Sequence, residues 1–318
     1  MGKVVFLTGV SRHLGGCVAR ALARDPGIDR VIGADLFPPP HDIGDAEFVR
    51  ADIRSPVVGK ILVRAEVDTV VHMNMLSTPV AAGGRSSQKE INVIGTMQLL
   101  AACQKAEGVQ RMVVKSSAAV YGSSPHDPAK FTEDMGPRVA PRAGFGKDSM
   151  EVEGYVRGFA RRRPDVDVAV LRFANIVGPG MRTALADYFS LPVVPTPWGY
   201  DGRLQFVHED DAVAALLLAT QRAEVDTVNV AGDGALSVRQ AVRLAHRASL
   251  PLPRGAGGLV GQLVRHTGLL DLSQQQMQFL SYGRALDTTR MRAVLGLEPR
   301  YSTRDAFVAS VGTGRGGR

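Results

Sequence analysis

Short apolar runs alternate with amphipathic stretches along the first half of the chain. Runs such as VVFLTG predict strands, and these runs occupy residues 4–9, 30–35, 46–52, 68–73, 111–117 and 166–174. Between them, apolar residues recur at helical spacing, as in 14–25, 92–106 and 148–162. Strands that are apolar on both faces and alternate with helices indicate a parallel sheet covered on both sides. The pattern therefore predicts an α/β fold with a doubly wound parallel sheet.

A glycine-containing loop, TGVSRHLGG, joins the first predicted strand to the first predicted helix at residues 8–16. Gly9 permits a tight turn, Gly15 lets the helix pack on the strand, and the helix start presents free N–H groups to a pyrophosphate. The middle glycine of a dinucleotide loop is absent, because Arg12 or His13 takes its place, depending on how the spacing is counted. Arg12 narrows the approach to the pyrophosphate but adds a charge that can clamp a phosphate.

A carboxylate at the end of the second predicted strand bears on the choice of dinucleotide. Asp35 lies about 20 residues after Gly15, where a carboxylate accepts hydrogen bonds from ribose hydroxyls and repels a 2′-phosphate. We therefore predict a Rossmann domain that binds NAD in preference to NADP, with Asp52 and Ile53 beside the adenine. The predicted cofactor-binding residues are Gly9, Ser11, Arg12, His13, Leu14, Gly15, Asp35, Leu36, Asp52, Ile53, Met73, Asn74 and Asn92.

The strand–helix alternation breaks after about residue 178 and returns once, at 204–232. We predict an NAD-binding Rossmann domain of residues 1–175 and 204–232. Residues 176–203 and 233–311 then form a smaller substrate-binding lobe that caps the carboxyl ends of the strands, and 312–318 form a mobile tail. Apolar residues at helical spacing in 257–273 are explained more simply by packing of this lobe than by a lipid pocket.

Composition narrows the class of protein. The 45% hydrophobic and 22% charged residues are typical of an ordered globular chain. The net charge of +7 raises a nucleic-acid hypothesis, but the basic residues are dispersed, and their one cluster, 157–164, fits a helix C-terminus. No apolar run approaches roughly 18 residues, and the first strand begins too early to leave room for a signal peptide. We expect a cytoplasmic protein with a small-molecule substrate and no nucleic-acid or membrane partner.

The two cysteines, Cys17 and Cys103, fall in predicted helices and form no CxxC or Cys/His spacing. This pattern favours reduced, buried thiols over a disulfide or a metal site.

Several motifs together resemble the extended short-chain dehydrogenase/reductase superfamily, and within it the NAD-dependent epimerase/dehydratase group typified by UDP-galactose 4-epimerase. Besides the glycine loop, these motifs are VVHMN (70–74), NVIGTMQLL (92–100), KSSAAVYG (115–122), LRFANIVGPG (171–180), QFVHEDDAV (205–213), VNVAG (228–232) and DTTRMRAVLGLEP (287–299). They stand in the family order and at family spacing along nearly the whole chain.

The resemblance implies NAD in the large lobe, a nucleotide sugar in the cleft and a homodimer formed through helices at about 88–107 and 147–163. It implies that Ser117 binds the reacting hydroxyl, that Tyr121 lines the cleft, and that Asn92 lies beside the cofactor. Asn175 matches the family asparagine that contacts the sugar nucleotide. The phosphate-binding arginine of the family falls at Leu204, so Arg203, one residue earlier, is its substitute.

The chain departs from the family at the proton relay. The family has a Tyr and, four residues later, a Lys, but Phe145 and Ser149 occupy these positions. Acid–base catalysis contributes about 10²–10⁴-fold, so hydride transfer without the pair should be very slow. The alternatives are an enzyme with altered chemistry and a non-catalytic NAD sensor or partner-binding module.

Two lysines are candidates to replace the relay. Lys147 lies about 200° around the helix from the face of Phe145 and Ser149, so we expect it at the surface. Lys115 projects to the same side of its strand as Ser117. In the simpler interpretation, the Lys115 side chain extends past the end of the strand to solvent or pairs with a carboxylate. In the alternative, Lys115 and Ser117 form a catalytic site with fewer groups than the family's.

Overall fold

The computed structural model describes residues 2–79, 82–253 and 274–312. The strands in these ranges are β1 Lys3–Thr8, β2 Ile28–Asp35, β3 Glu47–Arg50, β4 Thr69–His72, β5 Arg111–Ser117, β6 Asp167–Phe173, β7 Asn175–Val177, β8 Val193–Pro197, β9 Arg203–Leu204, β10 Phe206–His208, β11 Thr227–Val230, β12 Leu236–Ser237 and β13 Ala248–Leu252. The helices are α1 His13–Ala23, α2 Val57–Arg64, α3 Arg85–Lys89, α4 Gly95–Lys105, α5 Gly144–Arg162, α6 Ala184–Ser190, α7 Glu209–Gln221, α8 Val238–Leu244, α9 Gln274–Tyr282 and α10 Thr303–Gly312.

Seven strands form the central sheet in the order β3-β2-β1-β4-β5-β6-β11. Every neighbouring pair is parallel. Helices α1 and α7 cover one face, and α2, α4 and α5 cover the other. The predicted doubly wound α/β fold is therefore confirmed. The order of strands reverses between β1 and β4, which is where ligands bind in this architecture.

The predicted strands agree closely with the observed ones, because strands buried on both faces give continuous apolar runs. β5 has the predicted bounds, and β3 is shorter than the predicted 46–52. The helix expected from residue 92 begins earlier, at α3. It passes through a π-helical turn, Glu90–Ile94, before α4, and the wider turn disturbs the helical spacing of apolar residues.

Three two-stranded sheets lie outside the central sheet. β7 pairs with β10, β9 with β12, and β8 with β13. A cluster of buried aromatic rings joins these elements to α6 and α10, with the Phe189 and Phe206 rings 5.1 and 5.2 Å from that of Phe307. The domain bounds remain a prediction. The expectations for 257–273 and for the tail beyond Gly312 lie outside the described residues.

Candidate active site

The glycine loop lies at the carboxyl end of β1, next to β4. Gly9 has a φ of +80°, and a Cβ there would lie 3.3 Å from the backbone of Asn74, so this turn favours glycine. A Cβ on Gly15 would overlap the carbonyl oxygen of Gly9. Leu14 is buried behind this turn. The first N–H groups of α1 face the switch point of the sheet, as dinucleotide binding requires.

Arg12 stands just before α1 with an extended backbone and no side-chain cap of the helix. Partial burial lowers the pKa of its guanidinium, and the carboxylate of Asp35 opposes that effect. The side chain therefore lies near the end of β2, on the side where a pyrophosphate would cross the loop.

The His13 side chain contacts an acidic residue at the start of α7. Its Nε2 lies 2.7 Å from Oε2 of Glu209, and Oε1 of Glu209 accepts from the backbone N–H of Gly180 at 3.0 Å. These hydrogen bonds of Glu209 tie the start of α1 to the start of α7 and to the segment after β7. Sequence reasoning missed it, because the partners are 196 residues apart.

Asp35 is held by the backbone at the end of β2. Its two oxygens accept from the N–H of Ser11 at 3.1 Å and of Leu36 at 2.8 Å. The Ser11 hydroxyl donates to the carbonyl of Phe37. This fixes the carboxylate beside the glycine loop, as the prediction of a ribose-binding acid requires.

Asp52 and Ile53 follow β3 but differ in how freely their side chains could contact an adenine. The Asp52 carboxylate binds the Arg54 guanidinium, with Nη2 at 2.7 Å, and this hydrogen bond lowers its pKa. Ile53 is buried against Gly95 of α4. An adenine at this edge would meet a carboxylate that already has a cationic partner.

A buried chain of hydrogen bonds holds the end of β4. The Thr96 hydroxyl donates to the Asn92 carbonyl at 2.5 Å, so it accepts from His72 Nε2 at 2.8 Å. His72 Nδ1 then accepts from the Thr8 hydroxyl at 2.9 Å, and Thr8 accepts from the N–H groups of Met73 and Asn74. Burial, together with the charge of Lys115, lowers the pKa of His72 to about 3, so the ring is neutral.

Asn92 secures the segment after β4 rather than opening a helix. Its Oδ1 accepts from the Leu76 N–H at 2.7 Å, and its Nδ2 donates to the Leu76 carbonyl at 2.9 Å. The side chain is fully buried and holds the backbone at Leu76, while its predicted place beside the cofactor stays a prediction.

Lys115 and Ser117 occupy the carboxyl end of β5, and their side chains project to the same side of the strand. Lys115 Nζ donates to the Met75 carbonyl at 3.4 Å, and no described carboxylate lies within 4.0 Å of it. Burial, and then the charge of Arg12, lowers the pKa of Lys115 to about 8. Ser117 Oγ accepts from the Ala119 N–H at 3.1 Å, which leaves its proton free to donate.

Phe145 and Ser149 lie in the first turns of α5, where the family has its Tyr and Lys. The Phe145 ring packs against the core under α4 and α5. Ser149 is fully buried, and its hydroxyl donates to the Phe145 carbonyl at 2.9 Å. Neither side chain offers a proton to a ligand.

Asp148 lies inside α5 and is fully buried. Both of its oxygens bind Arg85, at 2.5 and 2.6 Å. Lys147 is half-exposed and pairs with Glu151 at 3.7 Å, consistent with the expected surface position.

Tyr121 does not line a cleft, which corrects the expectation from the resemblance. It is fully buried, and its hydroxyl donates to Asn229 Oδ1 at 2.8 Å and accepts from Arg172 Nη1 at 2.8 Å. Arg172 in turn pairs with Glu153 at 2.8 Å, and Glu153 accepts from Ser116 at 2.6 Å. The phenol belongs to this buried network.

Asn175 and Arg203 are both exposed but lie on different elements. Asn175 begins β7. Arg203 lies in β9 and lines a cavity of about 220 Å³, together with Lys130, Gln205, Asp233 and Thr288. The structure does not bring this cavity together with Ser117.

The cysteines carry no chemistry of their own in the structure. Cys103 is fully buried, and burial raises its pKa to about 12. Cys17 is only partly buried, which differs from the expectation, and burial raises its pKa as well. Within the described ranges no group of His, Cys, Asp and Glu could hold a metal ion, and no helix is long and apolar enough to cross a bilayer.

The residues at the switch point fit NAD. A glycine turn, a helix start, a carboxylate at the end of β2 and two cations without carboxylate partners line one edge of the sheet. The Arg12 guanidinium matches a pyrophosphate, and the Asp35 carboxylate disfavours a 2′-phosphate.

Comparison with known proteins decides the family. A sequence model of the NAD dependent epimerase/dehydratase family matches residues 5–231. The chain belongs to this family. A Mycobacterium tuberculosis protein described as Uncharacterized protein Rv0501 is 48% identical over 309 residues, covering 96% of this chain and 82% of that protein. The resemblance read from the motifs is confirmed, as is NAD as the cofactor of the family.

Solved structures of the epimerase/dehydratase family share the whole fold. MoeE5 in complex with UDP-glucuronic acid and NAD has a TM-score of 0.75 and 25% identity, covering 98% of this chain and 99% of that one. A Thermotoga maritima UDP-glucose 4-epimerase with UDP-glucose has a TM-score of 0.74 and 20% identity, covering 98% of each chain.

Proposed function

We propose that this family member binds NAD and a nucleotide sugar, and that Lys115 and Ser117 replace the missing Tyr/Lys relay. The observation that carries the proposal is the Lys115 ammonium: the side chain is only partly exposed, has no described carboxylate within 4.0 Å, and shares a strand face with Ser117. The nucleotide sugar is supported by MoeE5, which binds UDP-glucuronic acid or UDP-glucose together with NAD.

The proposed roles follow from these positions. Ser117 binds the reacting hydroxyl through its free proton, and the neutral amine of Lys115 receives the proton that the hydroxyl loses. Bound NAD supplies a hydride acceptor. Desolvation, and then the charge of Arg12, lowers the pKa of Lys115 to about 8, close to the pH range in which a general base is most effective.

The pH dependence of the proposed reaction follows from the state of Lys115. A base must be deprotonated, so kcat/KM should rise as the pH increases to about 8 and level off above it. Lys115→Met should lower the rate of turnover of UDP-glucose or UDP-glucuronic acid by at least about 10²-fold. Lys147→Met, at the half-exposed lysine of α5, is the matched control and should keep wild-type rates.

The measurement is chromatographic separation of the sugar epimers after incubation with NAD. Wild-type turnover that persists in Lys115→Met contradicts the proposed base. Absence of NAD binding in calorimetry contradicts the whole proposal.

A non-catalytic NAD sensor or partner-binding module is the second candidate, favoured by the packed ring of Phe145 and the internally bonded hydroxyl of Ser149. In that case the protein binds NAD without turnover. Phe145→Tyr combined with Ser149→Lys discriminates further: restored epimerase activity means that the cleft still accepts a sugar nucleotide, and no effect favours the module.

A further inference from the structure

Arg284 reaches from the segment after α9 to the turn that follows β5. Its Nη1 donates to the carbonyl of Ala118 at 2.5 Å, and its guanidinium lies over the ring of Phe279, 5.0 Å from the centroid. Its backbone N–H donates to the carbonyl of Arg203 at 2.7 Å, which fixes the start of the side chain.

The charge of Arg284 has no ionic partner among the described residues. No carboxylate oxygen there lies within 4.0 Å of the guanidinium, and Nε is buried without a hydrogen bond. Asp127 and Tyr121 act on it only at longer range, and burial lowers its pKa to about 10, so it is charged at neutral pH. A buried guanidinium nitrogen without a partner is costly unless a ligand provides one.

The arrangement of N–H donors on the Arg284 guanidinium shows where a ligand would bind. Nη1 is occupied by Ala118, whereas Nε and Nη2 form the other edge of the guanidinium and have no described acceptor. Two parallel N–H donors match the two oxygens of a carboxylate or phosphate.

The guanidinium of Arg284 belongs to the same region as Ser117. The turn that Arg284 contacts begins directly after Ser117, whose Oγ accepts from the Ala119 N–H. On the other side, Gln275 of α9 donates to the carbonyl of Ala143, two residues before Phe145. Arg284 therefore contacts the turn after β5, and the helix that precedes Arg284, α9, contacts the residue before α5.

We propose that Arg284 binds an oxyanion of the substrate, supplied either by a carboxylate on the sugar or by a phosphate of the nucleotide. This inference rests on the proposed function and adds a substrate-binding residue outside the motifs of the sequence. The two sources share the same chemistry, and a comparison of ligands distinguishes them.

The test is calorimetry of the NAD-loaded protein with UDP-glucuronic acid, UDP-glucose and UDP as probes. Arg284→Gln should weaken binding by about 10- to 100-fold, the loss expected for a hydrogen-bonded charge pair. A loss confined to UDP-glucuronic acid identifies the sugar carboxylate, and an equal loss for all three probes identifies a phosphate. Arg284→Lys keeps the charge but not the fork, so it should recover only part of the affinity.

Two controls make the result decisive. Arg304→Gln removes an arginine whose side chain is 65% exposed on α10 and should leave all three affinities unchanged. Wild-type affinity for NAD shows that a variant is folded. If Arg284→Gln does not fold, Arg284→Lys replaces it as the variant whose affinity for the three probes is measured. Wild-type affinity for every probe in the folded variants overturns the inference, as does failure of the NAD-loaded wild-type protein to bind any probe.

This test fails separately from the proposed relay. Unchanged binding in Arg284→Gln together with loss of turnover in Lys115→Met would remove only the role of Arg284. Altered binding together with intact turnover in Lys115→Met would remove only the relay.

Discussion

Arg12 shows how one side chain changes the chemistry of a dinucleotide loop. In a loop whose middle glycine is absent, the Arg12 guanidinium brings a positive charge close to both Asp35 and Lys115. It therefore acts in two directions, as a potential pyrophosphate ligand and as a like charge that lowers the pKa of Lys115. The glycine loop and Lys115 are electrostatically coupled through this residue.

Arg12→Gly should raise the pKa of Lys115 above 8, towards its ordinary value of 10.5, because a like charge is removed. The low-pH limb of kcat/KM should move to higher pH by the same amount. Titration of the lysine side-chain nitrogen by NMR measures the pKa directly. Arg24→Gln, at the other end of α1, is the control, and an unchanged Lys115 pKa in Arg12→Gly would disprove the coupling.

The position of single residues was only partly predictable from the sequence. Asp35, Lys115 and Ser117 follow from strand periodicity, because each lies at or next to the end of a predicted strand. Arg284 was not predicted as a site residue, because what marks it is a guanidinium without an ionic partner among the described residues. The local sequence does not show whether an arginine has such a partner. Tyr121 was misplaced because a motif does not show which way its aromatic ring packs.

At the scale of elements, α5 is anchored to the sheet by buried polar groups rather than by apolar contacts alone. Glu153 on α5 binds Arg172 on β6 and Ser116 on β5, and Arg172 reaches Tyr121 in the turn after β5. Burial of a charge pair is tolerable only when its remaining hydrogen bonds are satisfied, as they are here. This network sets the orientation of the helix that carries Phe145 and Ser149.

Arg172→Met should lower the free energy of unfolding by about 3–5 kcal/mol, because the Glu153 carboxylate would stay buried without its main partner. Urea denaturation measures the change. Arg157→Gln removes the other arginine beside Glu153, whose side chain is 63% exposed, and should cost no more than about 0.5 kcal/mol. Equal losses in the two variants would contradict the assignment of stability to the buried pair.

The start of α3 illustrates why element bounds escape sequence reasoning. Apolar periodicity marks the helix from about residue 92, whereas the chain is already helical at Arg85. Arg85 is held there by Asp148, 63 residues away, so a tertiary ion pair defines the beginning of the segment. Spacing along the chain contains no information about such a contact.

At the scale of the whole molecule, the predicted homodimer remains to be tested. Ile94 and Met97 on the π turn and α4, and Tyr155 on α5, are large apolar residues that are exposed in the single chain. The two segments belong to the pair of helices that the family resemblance assigns to the dimer. Exposed apolar groups on one face favour association.

Met97→Glu should shift the protein from dimer to monomer, because a carboxylate would be buried in the interface without a partner. Sedimentation equilibrium gives the mass. Val63→Glu, at an exposed apolar position on α2, should not change it. A wild-type protein that sediments as a monomer would refute the predicted dimer.

The close contact at Gly15 determines which glycines a sequence pattern for this loop must contain. A side chain there would overlap the Gly9 carbonyl, so that glycine is irreplaceable in this loop, whereas the central one has given way to a bulky cation. A sequence pattern that demands three glycines therefore misses this chain, and a pattern with two glycines and a free middle position includes it.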